Sequence, residues 1–321
     1  MAVFTKINYS DISKIEKLFN LGKIRKFEGI KQGIENTNYL IFIKNKKYIL
    51  TIFEKRVDSK DLPFFMKLMS KLYKLKIKCP QPVKNKKGSF IFKVKNKEAC
   101  IVSFLSGRDK KELSSSDCFS VGKNVAKLHL TSKKIKLYRK NSFSLSSWPT
   151  LLSKLDSRAN DISKNLKNVM KNDLKNIKKN WPKNLPKGII HCDLFLDNIF
   201  FYKKKFYGFI DFYFSSNDFY IYELAICINA LCFKKRKNKF IFDKTKSSKL
   251  LKGYISIRKL NINEMKYFNI MCRGSALRYL LTRTFDYLNT PRNAIIKIKD
   301  PKEYLQKLNF HRKLRSFKDY I

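Results

Sequence analysis

The chain has 321 residues, with 71 Lys and Arg against 25 Asp and Glu, a formal charge of +46. Hydrophobic residues make up 44% and aromatics 14%, which excludes a disordered polyelectrolyte and leaves enough apolar material for one large core or two lobes. There is no run of 18 apolar residues, and the start MAVFTKINYSD lacks a basic region followed by an apolar stretch, so neither a membrane span nor a signal peptide is expected.

The seven cysteines include no Cys-x-x-Cys pair. Buried thiols in a reducing compartment fit them better than disulfides or a zinc site, and the chain reads as cytoplasmic. The charge invites a nucleic-acid reading. However, Lys is spread over the whole chain together with Asn, Ile and Phe, residues that share A/T-rich codons, so base composition suffices to produce it. No specific nucleic-acid partner is expected. The charge does favour an anionic nucleotide and disfavour a polycationic ligand.

In chain order, SDISKIEKLF predicts a helix capped by Ser10 or Asp11 and ended by Gly22. Two strand-like stretches, IRKFEGIKQGIENTNYLIFI and KYILTIFEKR, surround a Gly-containing loop and a KNKK turn. A helix over about 61–76, the loop CPQP and a second hairpin, SFIFKVKNKEACIVSFL, complete a small β-rich lobe, residues 1–107, ending at a hinge in LSG. From 108 to 321 helical patterns dominate, at about 115–131, 147–180, 218–234, 244–259, 263–288 and 301–314. The strand signals there are two arms, 188–201 and 206–211, joined by the turn KKK. FYIYELAICINALCF (219–233), interrupted by Glu223 and Asn229, reads as a buried core helix, and the basic run KKRKNK (234–239) as a loop.

GIIHCDLFLDNIFF (188–201) places polar groups inside a greasy stretch, which costs free energy unless something pairs with them. Asp193 and Asn198 are five residues apart, and Asp211 follows a strand one hairpin later. Asp-x-x-x-x-Asn, strand, Asp is the pattern that kinase-type phosphoryl-transfer enzymes use. Asp193 can orient a hydroxyl and take its proton. Asn198 offers a carbonyl oxygen, and Asp211 a hard anionic oxygen, to Mg²⁺. The competing reading is an ordinary Asp/Asn-rich turn. The setting, a strand–loop–strand in a helical lobe behind a β lobe, favours the active site.

Of the remaining candidates, His191 reads as holding the loop, His129 as packed or capping, His311 as chemically silent, Asp218 as a helix N-cap and Asp197 as structural. Gly29 and Gly33, in FEGIKQGIENTNY, can present backbone N–H groups to phosphates. Taken alone, this loop does not decide between a phosphate cover and a plain strand connection.

IIHCDLFLDNIFF and GFIDFYFSSNDFYIYELAICINALCF resemble the aminoglycoside-phosphotransferase-like branch of the protein-kinase-like fold. With GIENTNYLI, YILTIFEKRVDSKDLPFF, CPQPV and RGSALRYLLTRTFDYL, the chain from about residue 3 to 314 is more narrowly similar to type II homoserine kinases. The resemblance implies an α+β bilobal fold with ATP at the hinge and two-lobe cleft. It implies γ-phosphoryl transfer to the side-chain hydroxyl of L-homoserine, a step of threonine synthesis, with Asp193 as base and Asn198 and Asp211 as Mg²⁺ ligands. Another alcohol, such as an aminoglycoside or choline, is the alternative substrate, disfavoured by the scarcity of acids. A catalytically dead binding module and a basic RNA-binding protein are the readings outside that class, the first opposed by the intact Asp193, Asn198 and Asp211. One departure stands out. Thr51 occupies the strand position where such kinases usually carry a basic residue for the phosphates, which leaves Lys55 and Arg56 as candidates.

In RGSALRYLLTRTFDYL, Ser275, Arg278, Thr282 and Asp286 share one helical stripe opposite Leu277, Leu280, Leu281 and Leu288. For homoserine, Arg278, or alternatively Arg283, is expected to take the carboxylate, and Asp286 the ammonium. A solvated face with an Arg283–Asp286 pair is the competing reading.

Overall fold

The computed structural model describes residues 3–30, 36–54, 57–290 and 298–321, and these form two compact units. The first comprises the described residues up to Gly107 together with Gly208–Tyr213. The second comprises the described residues from Arg108 to Tyr207 and from Phe214 onward.

The first unit contains α1 (Tyr9–Leu18), β1 (Ile24–Gly29), β2 (Thr37–Ile43), β3 (Lys46–Ile52), α2 (Leu62–Lys74), β4 (Ile91–Val94) and β5 (Lys97–Ser103). The strands make one antiparallel sheet in the order β1-β2-β3-β5-β4. Alternation along β2 turns Tyr39, Ile41 and Ile43 inward, where they join Ile12, Ile15 and Phe19 and Leu50, Ile52 and Ile101 in one core cluster. Asn8, rather than Ser10 or Asp11, caps α1, because its side chain accepts the Asp11 N–H while Asp11 answers to the Asn8 N–H. The C-cap of α1 is Phe19, ahead of Gly22, which takes a positive φ of 99° in the turn beyond.

The second unit contains α3 (Ser115–Ser132), α4 (Trp148–Ser153), α5 (Ala159–Ile162), α6 (Leu166–Asn180), β6 (Lys187–Ile190), β7 (Ile199–Tyr202), β8 (Lys205–Phe209), β9 (Ser216–Phe219), α7 (Tyr220–Leu231), β10 (Phe233–Arg236), β11 (Lys239–Phe242), α8 (Lys244–Ile255), α9 (Ile262–Asn289) and α10 (Lys302–Lys313). The last two residues of β8 group with the first unit.

Several sequence expectations are corrected here. The helix expected over 147–180 is three helices. Asp156 folds back to accept the Arg158 N–H, and Asn165 enters α6 in a left-handed conformation, φ 61°. The arm 188–201 is two short strands, β6 paired with β9 and β7 with β8, separated by a loop. The basic run 234–239 is a hairpin, not a loop. Phe233 and Phe242 face each other across it, and Phe242 packs on Phe310 of α10. Asp218 lies in β9 rather than capping α7, and accepts from the Asn141 amide and the Phe219 N–H, both at 2.7 Å.

α7 is buried on nearly every side, as its composition predicts. One of its polar residues, Asn229, is tied off internally. The Asn229 amide donates to the Cys272 carbonyl (3.0 Å), and its Oδ1 meets His311 Nε2 (3.1 Å). His311 is fully buried, with Nδ1 2.9 Å from the Tyr320 hydroxyl.

α3 and α8 cross through glycine. A Cβ at Gly122 would lie 2.0 Å from the Leu250 carbonyl oxygen, and one at Gly253 2.0 Å from the Phe119 carbonyl oxygen. Neither obstacle is a side chain that can turn aside. Gly122→Ala should therefore cost about 3 kcal/mol or more, seen as a lowered urea midpoint, since overpacking against backbone exceeds the usual core penalty.

Burial, reinforced by Lys307 and Arg273, pushes the His311 imidazole down to about 3. Burial likewise holds His129 well below its ordinary value. The unfolded chain then takes up these protons first as pH falls below about 6.5, so the contribution of these two histidines to folding stability declines from there downward. Between pH 7.5 and 5.5 each histidine should remove on the order of 1 kcal/mol of unfolding free energy in urea titrations. His311→Gln should flatten part of that slope.

Candidate active site

The loop between β6 and β7 carries the first motif. Leu194 is fully buried and anchors it, while Asp193 remains partly exposed. The Asn198 amide donates to the Asp193 main-chain oxygen (2.7 Å) and to its Oδ2 (3.1 Å). The five-residue spacing thus closes a ring over the loop. It also leaves the Asn198 carbonyl oxygen as the group available to a cation.

Cys192 sits at φ 68°, an unfavourable left-handed conformation for a residue with a Cβ. Glu223, in the first turn of α7, compensates. Its buried carboxylate accepts the His191 N–H at one oxygen and the Cys192 N–H (2.9 Å) at the other. His129 Nε2 lies 3.7 Å from the same carboxylate. Burial raises the Glu223 carboxyl, while His191 and the two amides oppose that rise. Sequence reasoning treated Glu223 only as an interruption of an apolar helix. A lone acid in such a run was the signal that could have found it. His191 is fully buried, and the tie shown to Glu223 runs through its main chain.

On α9, Ser275 and Arg278 are buried, so this stripe is no solvated face. The Arg278 guanidinium carbon lies 4.0 Å from the Tyr279 ring centroid and 4.8 Å from that of Phe143. Its Nη1 is buried and makes no hydrogen bond, and among the described residues Arg278 forms no ion pair. Burial alone would lower this guanidinium, but Tyr279, Tyr222 and Asp193 hold it above its ordinary value. The Tyr279 hydroxyl in turn lies 3.4 Å from Asp193 Oδ1. Arg283 is differently engaged. It meets Glu303 at 2.6 Å and lies over the Tyr304 ring, which removes it as the free alternative to Arg278. Asp286 is eight residues beyond Arg278 on the same unbroken helix, about 12 Å along its axis. Arg and Asp side chains can both reach a ligand lying between them across that rise, so Asp286 stays a candidate for the ammonium.

Asp211 also has a left-handed backbone, φ 61°. Its segment packs within the first unit. The Phe209 N–H donates to the Lys78 carbonyl (3.1 Å), and the Tyr213 ring lies edge-on to Phe53 and Phe65. A Cβ at Gly208 would come within 2.4 Å of the same Lys78 oxygen. Gly29 closes β1 opposite Tyr39, with Val3 where its Cβ would stand. Gly33, Lys55 and Arg56 lie outside the described residues. Thr51 is buried and donates to Asn38 Oδ1 at 2.7 Å. Among the described residues no group of three or more His, Cys, Asp or Glu is placed to hold a metal. Mg²⁺ chemistry fits that poverty, because the ion takes one or two protein oxygens and draws the rest from phosphates and water.

The chain belongs to the phosphotransferase enzyme family, which matches residues 26–239. Within that class it is 39% identical over 320 residues to a homoserine kinase of Allorhizobium ampelinum, covering all of this chain and 99% of that one. A homoserine kinase of Agrobacterium fabrum is 38% identical over 320 residues, with 100% and 98% covered. Among solved structures, an amicoumacin kinase in complex with AMP-PNP and Ca²⁺ superposes with a TM-score of 0.73 at 16% identity, covering 98% of this chain and 94% of the other. The fold is therefore the α+β protein-kinase-like fold of the aminoglycoside phosphotransferases. No helix among the described residues is long and apolar enough to cross a membrane.

Glu223→Gln keeps one acceptor oxygen but replaces the other with a donor facing an N–H. The turnover number should fall at least tenfold, with a smaller change in either KM, because the loop and not a binding group is disturbed. Steady-state kinetics together with a melting curve check this.

Proposed function

We propose that this chain transfers the γ-phosphoryl group of ATP to the side-chain hydroxyl of L-homoserine, giving O-phospho-L-homoserine for threonine biosynthesis. Full-length identity to homoserine kinases supports the reaction. One structural observation supports the substrate. A buried guanidinium whose Nη1 makes no hydrogen bond, and which forms no ion pair among the described residues, shares a tyrosine ring with Asp193. Leaving such a charge unpaired is costly. A carboxylate bound in bidentate fashion relieves the cost and sets an amino acid's side chain toward Asp193, roughly one ring-length away.

In this reading Asp193 orients the acceptor hydroxyl and takes its proton as the phosphoryl group moves. Asn198 Oδ1 and the Asp211 carboxylate are the proposed Mg²⁺ ligands. The ion would neutralise charge on the phosphates. Thr51 supplies no cation, so Lys55 or Arg56 remains the proposed phosphate contact, with backbone N–H groups around Gly29 and Gly33 as cover. All seven cysteines are free and buried, which supports placing the reaction in the cytoplasm.

Asp193→Asn should lower kcat by roughly 10²–10⁴-fold with the melting temperature intact. A near wild-type rate would remove Asp193 from this role. Arg278→Lys keeps the charge and loses the fork. KM for homoserine should rise about tenfold or more while KM for ATP stays constant. Homoserine carboxamide should then be penalised far more by wild type than by the variant. Equal penalties would count against the carboxylate assignment.

A further inference from the structure

Tyr279 touches both ends of the proposed acceptor site. Its ring lies under the Arg278 guanidinium at 4.0 Å, within the range of a favourable cation–π contact. Its hydroxyl is 3.2 Å from the Cys192 carbonyl oxygen and 3.4 Å from Asp193 Oδ1, one proton offered to two acceptors on the catalytic loop. The ring is held in place. Phe195, from the same loop, meets it edge-on at 5.1 Å and 86°, and Tyr304 of α10 lies against it at 5.0 Å and 33°. Burial raises the phenol well above its ordinary value despite Arg278, so the hydroxyl remains a donor.

We propose that Tyr279 does two separable jobs: its ring is the platform that aims Arg278 at the substrate carboxylate, and its hydroxyl orients the Asp193 carboxylate toward the acceptor hydroxyl. The inference rests on the reading of Arg278 as the carboxylate receptor. It adds a positioning residue that fixes the spacing between the binding group and the base. Because both are attached to one rigid ring, an amino acid anchored at one end presents its hydroxyl at the other.

Two substitutions separate the jobs. Tyr279→Phe keeps the platform and removes the donor. Calorimetric binding of homoserine without ATP, and KM for homoserine, should stay within twofold of wild type, while kcat falls about tenfold, the loss of a hydrogen bond to a charged acceptor. Tyr279→Met removes the π face, with Tyr279→Leu as substitute if the Met variant does not fold. Homoserine binding should weaken at least fivefold in the same titration. A kcat within twofold of wild type for Tyr279→Phe overturns the hydroxyl's role, and wild-type homoserine affinity in Tyr279→Met or Tyr279→Leu overturns the platform. Arg278→Lys, titrated alongside, keeps the two levels distinct. Unchanged homoserine binding there refutes the carboxylate reading itself. Weakened binding there with full affinity in Tyr279→Met refutes only the role given to Tyr279.

Discussion

The site depends on one buried carboxylate. Glu223 holds two successive amides of the loop that presents Asp193, and one of those residues has a backbone that would not adopt its conformation unaided. Removing water from a carboxylate costs several kcal/mol. Here the cost is offset by two N–H donors and by the positive end of α7. The anchor is set in a helix buried on nearly all sides, so the loop inherits the rigidity of the core of its unit.

Acids are the scarce resource in a chain with 25 of them among 71 bases. Buried and half-buried ones are used more than once. Asp173 receives both Arg273 and Arg312, and Glu303 receives both Arg283 and Lys307. Asp117 receives Lys110 while closing the N-terminus of α3. Against this pattern Arg278, without an ion pair among the described residues, stands out. Arg258 and Arg283, also buried, each have an acid as partner.

The order of elements was legible because it rests on local rules. Alternation marked β2, apolar periodicity marked α2 and α3, and the Asp193–Asn198–Asp211 spacing marked the loop and hairpin. What failed depended on distant partners. The hairpin at 234–239 looked like a charged loop because its aromatic support, Phe310, lies far along the chain. Asn8 was passed over as a cap because Ser10 and Asp11 offered equally good chemistry two and three residues later. At the site, residue types pointed to Asp193 and Arg278 as candidates, Glu223 left only the signal of a lone acid in an apolar run, and Tyr279 left none. Their roles exist only once α7 and α9 are folded against the loop, and from sequence both read as members of apolar helices.

The crossing of α3 and α8 has a consequence for how such a sequence can drift. Every glycine codon begins with two guanines, so a mutational bias that enriches Lys, Asn, Ile and Phe erodes glycine. Only ten remain in 321 residues. At Gly122 and Gly253 a single guanine-to-adenine change introduces Ser, Asp, Glu or Arg, each of which places a Cβ on a neighbouring carbonyl. Substitution at one site cannot be rescued by shrinking the other, which already has no side chain. The exposed surface has no such constraint against lysine, so a bias that can reshape the surface meets a backbone separation that it cannot move.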